Sequence, residues 1–66
     1  MKKLFDPLKF GKTLEEALTA TQLTVREAAE LIGCSHATIS RVCNGGRPSI
    51  ENFIRICKWL DKVEIE

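Results

Sequence analysis

The sequence predicts a small all-α domain of four helices, with a short N-terminal turn as a candidate fifth. Three observations carry this prediction. Residues able to cap a helix stand in front of each apolar run, apolar residues recur at spacings of three and four, and no strand-like alternation appears before the last residues. The chain has 66 residues, which suits one domain spanning 1–66. At that size folding hides only about 60% of the surface an unfolded chain exposes, so the architecture must be simple. Hydrophobic residues at 44% and charged residues at 29% describe a globular chain, not a disordered one.

Asp6 before Pro7 has the form of an N-cap and first helical position. Gly11 follows closely, so residues 7–10 are expected to form no more than a turn that anchors Leu8 and Phe10. The first full helix is then expected after Thr13, which with Glu16 makes a capping box and puts Leu14, Ala17 and Leu18 on one face. Thr24 and Glu27 repeat the signature for a second helix. Its broad apolar side holds Val25, Ala28, Ala29, Leu31 and Ile32, and Gly33 stops it in a left-handed conformation.

Gly33 and Cys34 alone separate that stop from Ser35, an N-cap for a third helix whose Ile39 and Val42 face inward. Two short helices joined so tightly must cross steeply. Asn44, Gly45 and Gly46 end the third helix, and Ser49 caps a fourth. Ile50, Phe53, Cys57 and Leu60 are expected to form the inner stripe of that last helix, flanked by Ile54 and Ile56. Residues 61–66 make a tail, of which Val63 to Glu66 alternate like a short strand.

The segment 24–44, TVREAAELIGCSHATISRVCN, resembles the helix-turn-helix of the phage Cro and repressor-type family, also known as XRE-like regulators. Ala29 matches the small residue that lets the two helices approach. Gly33, four residues later, matches the glycine of the turn, and Ile39 and Val42 match the buried aliphatics of the second helix of the motif. Ser35, Thr38 to Arg41, Asn44-Gly45 and Arg47-Pro48-Ser49 extend the likeness, which covers about Phe10 to Leu60. The resemblance implies a lambda-repressor-like fold and sequence-specific binding of double-stranded DNA. Many relatives pair an Arg late in the first helix with a Glu at the end of the third; here the positions hold Leu18 and Cys43. Replacing both ions together avoids a buried unpaired charge, so an apolar contact between these two side chains is expected.

A helix fits the major groove, and with Ile39 and Val42 inward the opposite face carries His36, Ala37, Ser40 and Arg41. The resemblance puts base contacts at His36, Ala37 and Arg41. Arg41 can bond guanine O6 and N7 with its fork, or it can make a surface ion pair with Glu27 or Glu30. Thr24, Ser35, Thr38, Ser40, Asn44 and Arg47 are candidates for contact with the DNA backbone, although capping alone would explain Thr24. From Leu31 to Ile50 there is no Asp or Glu, while His36, Arg41 and Arg47 lie within that stretch. The net charge of +1 argues little by itself.

Single helix-turn-helix units usually bind palindromic operators as two-fold dimers. Trp59, Val63 and Ile65 are the candidate dimer contacts, with Trp59 and Val63 expected on the outer side of the last helix; the alternative is that Trp59 folds back over the core. Three functions remain open: a transcriptional regulator, most simply a repressor of the phage or mobile-element kind; an antitoxin that represses its own operon beside a toxin partner; or a protein-interaction module that no longer binds DNA. An enzyme is not expected. One His, no Ser/His/Asp or Cys/His set and no phosphate-binding loop leave nothing to carry catalysis or a cofactor. Cys34, Cys43 and Cys57 are odd in number with no CxxC spacing, which points to reduced thiols in a cytoplasmic protein and to no metal. No apolar run follows the basic start and none reaches 18 residues, so neither secretion nor membrane insertion is expected.

Overall fold

The computed structural model describes residues 5–63. Its elements are α1 (Pro7–Thr21), α2 (Val25–Ile32), α3 (His36–Cys43) and α4 (Ile50–Lys62). All secondary structure among the described residues is helical, as expected. The buried cluster draws Leu14 and Leu18 from α1, Ala28, Ala29 and Ile32 from α2, Ile39 and Val42 from α3, and Ile56 from α4. Leu14, Ile39 and Ile56 have no exposed surface at all.

Helix α1 begins earlier than the sequence predicts. It is one helix from Pro7, capped by the Asp6 carboxylate, which accepts from the N–H groups of Leu8 and Lys9 at 3.1 and 3.4 Å. Gly11 does not interrupt it. A Cβ at residue 11 would overlap the Val42 carbonyl oxygen, so this glycine is the point where α3 crosses against α1. Thr13 is accordingly no N-cap: its hydroxyl donates back to the Lys9 carbonyl at 3.0 Å. The helix ends at Gln22, a non-glycine residue in the left-handed region at φ 60°.

The cap readings at the other three helices hold. Thr24 and Glu27 make both bonds of a capping box, Ser35 accepts from Thr38 N–H, and Ser49 accepts from Asn52 N–H. Gly33 ends α2 at φ 96°. Leu31, expected on the apolar side of α2, is instead 64% exposed, because Ala28, Ala29 and Ile32 already fill the inward face of this two-turn helix.

The inner face of α4 is also rotated from the expected stripe. Ile56 is its one fully buried residue, whereas Ile50 is 80% and Ile54 47% exposed; Phe53, Cys57 and Leu60 are half-buried. Phe53 sets this rotation by joining Phe10 and Phe5 in an aromatic cluster with ring centroids 5.0 and 5.3 Å away. Ile56, three residues on, then points into the core. Trp59, three further, packs against that core instead of standing on the outer side. Of the expected tail 61–66, Asp61 and Lys62 continue α4 and Val63 is its half-buried C-cap; residues 64–66, and with them Ile65 and the rest of the strand-like stretch, lie outside the described residues. Leu18 is buried and Cys43 packs against the same apolar cluster, so neither position brings a charge to it.

Candidate nucleic-acid interface

The candidate interface is built by the α2–turn–α3 unit. Ala29 is 3% exposed where α3 packs against α2, and its carbonyl accepts from both Gly33 and Cys34 N–H at 2.8 and 3.1 Å. These bonds close the end of α2 and reverse the chain within the few residues before Ser35. The turn is further held by Arg55 of α4, whose Nη1 donates to the Gly33 carbonyl at 2.6 Å while Nη2 meets Glu51 at 3.3 Å. Sequence reasoning missed Arg55. The Glu51–Arg55 spacing marks an ordinary helix-surface pair. Only packing of α4 beside α2 brings the guanidinium to the turn.

Ile39 and Val42 are 0% and 1% exposed, so α3 is fixed by its inner side. His36, Ala37, Ser40 and Arg41 are all exposed on the other. Eight helical residues rise about 12 Å, a length that lies readily along a major groove about 12 Å wide. Arg41 forms no ion pair with Glu27 or Glu30; among the described residues the one such pair is Arg55–Glu51. Among the described residues the Arg41 guanidinium therefore has no acidic partner.

The candidate backbone contacts differ in what they have left to offer. The Ser35 hydroxyl accepts from Thr38 N–H at 3.2 Å and lies 2.9 Å from the Thr38 hydroxyl. One of these two hydroxyls donates to the other, so one O–H of the pair has no acceptor in these bonds. Thr24 accepts from Glu27 N–H at 3.1 Å and its own N–H is taken by the Glu27 carboxylate at 2.9 Å, which leaves only its hydroxyl proton and puts a negative group at the start of α2. Ser40, Asn44 and Arg47 are exposed. Arg47 lies beside Phe5, Pro48, Ile50 and Phe53 at the rim of a shallow apolar depression.

The loop after α3 closes with two paired bonds: Gly46 N–H to the Arg41 carbonyl at 2.8 Å and Gly45 N–H to the Val42 carbonyl at 3.0 Å, with Gly45 at φ 95°. This is the Schellman arrangement, and it explains why a glycine stands at position 45, directly after Asn44. Burial pushes the thiols of Cys34, Cys43 and Cys57 above their ordinary value, with Glu15 adding to the rise at Cys43 and Arg55 opposing it at Cys34. No group of three or more His, Cys, Asp or Glu among the described residues could hold a metal ion. Among the same residues no helix is long and apolar enough to cross a membrane.

Helices α2 and α3 packed together, a glycine turn between them and an exposed outer face on the second define a helix-turn-helix domain of the DNA-binding kind. The family model described as "Helix-turn-helix" matches residues 11–66. The chain belongs to this family, the Cro- and XRE-type helix-turn-helix regulators. No curated protein matches it. Among solved structures, a chain of the HipA-HipB-O2-O3 complex has a similar fold, with a TM-score of 0.72 at 22% identity over 100% of this chain and 93% of that one.

Proposed function

We propose that this chain is a sequence-specific transcriptional regulator, a repressor of the phage or mobile-element kind, which reads the major groove of double-stranded DNA with residues 35–44. The observation that carries this reading is the division of α3. Ile39 and Val42 are locked in the core while His36, Ala37, Ser40 and Arg41 stand exposed, the last without an acidic partner among the described residues. His36, Ala37 and Arg41 are the base contacts. Arg41 takes guanine in bidentate fashion, and Ala37 offers a methyl to thymine. Ser35, Thr38, Ser40, Asn44, Arg47 and the Thr24 hydroxyl meet phosphates, which orient α3 without specifying sequence. The domain acts in the cytoplasm on bacterial or phage DNA, as a homodimer on a palindromic operator whose half-sites lie about 34 to 36 Å apart.

Selection of binding sites from random DNA, followed by Arg41→Ala on the selected site, tests this reading. Loss of affinity with relaxed preference at one guanine supports it; unchanged affinity and preference would sink the assignment of α3 as the reading element. A chain that acts only through protein contacts would bind no duplex, or would show no fall in affinity with salt.

A second reading, an antitoxin that represses its own operon, is favoured by two observations. Ile50 and Ile54 stand exposed one turn apart on α4, beyond what the core covers, and a chain of similar fold occurs in the HipA-HipB-O2-O3 complex. Co-purification of this chain with the product of a neighbouring gene supports that reading, and a chain that purifies alone from its own operon argues against it.

A further inference from the structure

Two consecutive glycines follow Asn44, and they do different work. Gly45 adopts φ 95°, a conformation that side-chain-bearing residues rarely take, and so provides the left-handed turn that ends α3. Gly46 has no such backbone need, since its φ lies outside the left-handed region. What Gly46 supplies is the absence of a Cβ. A Cβ there would lie 2.6 Å from Cγ and 3.3 Å from Cδ of Arg41, and 2.9 Å from the Arg41 carbonyl oxygen. Gly46 N–H donates to that same carbonyl at 2.8 Å, so the peptide is held against the residue whose stem crosses it.

We propose that Gly46 is a positioning residue for Arg41: its bare Cα is the floor on which the Arg41 methylenes lie, and this fixes the direction in which the guanidinium leaves α3. An arginine stem has large rotamer freedom, and packing two of its methylenes on the backbone removes part of that freedom before DNA binds. The alkyl stem is suited to such a seat because it covers backbone while the charged head stays in water. The proposal rests on the reading of Arg41 as a base contact.

The test is a double-mutant cycle in the full chain with Gly46→Ala and Arg41→Ala. Affinity is measured on the selected site and on the same site with the Arg41-contacted guanine replaced. Arg41→Ala is expected to cut discrimination between the two sites by roughly 5- to 150-fold. Gly46→Ala is expected to cut it by at least about threefold, a partial loss of the same contact. In the Arg41→Ala background Gly46→Ala should change discrimination no further, and the salt dependence should stay as in the parent because phosphate contacts are kept.

An equal loss in both backgrounds would make Gly46 a structural glycine only and overturn the proposal, as would full discrimination in Gly46→Ala. If Arg41→Ala itself leaves discrimination intact, the base-contact reading fails and the proposal with it, a result distinct from the other two. A readout independent of DNA guards against a Gly46→Ala chain that does not fold: 15N relaxation of Arg41 Nε in the free parent protein. An ordered Nε supports the seat, and one as mobile as in an unstructured peptide overturns it.

Discussion

Gly11 and Val42 meet where α1 crosses α3: the backbone of one helix touches the carbonyl of the other, and no Cβ could stand between them. Gly11 is buried inside a helix, a position where alanine normally stabilises by about 0.5–1 kcal/mol. Here the sign is reversed. Gly11→Ala is expected to destabilise by about 1–3 kcal/mol through overpacking, read as a lower urea midpoint at unchanged slope. DNA affinity should fall with it, because α3 is the element displaced.

Ile56 and Ile50 lie on one helix but differ in burial, 0% against 80% exposed. Ile56→Ala should cost about 2–5 kcal/mol, and Ile50→Ala should stay within about 0.5 kcal/mol. Thermal melts of the two variants check the face assigned to α4; the opposite ranking would restore the stripe that begins at Ile50.

Arg55 ties α4 to the carbonyl that ends α2. Hydrogen bonds to charged groups contribute about 1.5–3 kcal/mol, but the Arg55 side chain is 45% exposed, so Arg55→Ala is expected to cost only about 1–2 kcal/mol. Glu51→Gln, which removes the ion pair and spares the turn, should change stability by less than about 1 kcal/mol. Denaturant titration of both variants separates the two contacts.

Gln22 ends α1 in the left-handed region without being glycine. Its N–H and that of Leu23 bond back to Thr19 and Leu18, so the conformation is required by the cap. Gln22→Gly relieves a strain of about 1–2 kcal/mol and, set against glycine's greater unfolded-state freedom, should raise stability by up to about 1 kcal/mol. A drop in melting temperature would refute the account.

The three thiols have their pKa values raised in the folded chain, chiefly by burial. For an acid so shifted, the folded state holds its protons longer than the unfolded state. The stability contributed is therefore complete below the ordinary thiol value of 9.0 and is lost as pH rises through the raised values. Urea midpoints between pH 7 and 10 should fall more steeply for the parent than for a Cys34→Ala, Cys43→Ala, Cys57→Ala triple variant.

Elements whose cause is local are written in the amino-acid sequence. Thr24 with Glu27, Ser35 and Ser49 each cap a helix through bonds to residues three positions away, and Gly33 stops α2 through its own φ, so all four were legible. The inward pair Ile39 and Val42, and hence the outer face of α3, followed from helical periodicity. Tertiary structure alone decided what depends on residues far along the chain. Gly11 reads as a helix breaker until α3 is laid against it, and the rotation of α4 depends on Phe53 finding Phe10. Arg55 reaches Gly33 across 22 positions, and Gly46 meets the Arg41 stem only once the loop has closed. Caps and periodicity act over one or two turns and are written in spacing. Close approaches between helices depend on where each axis lies, and no spacing records that.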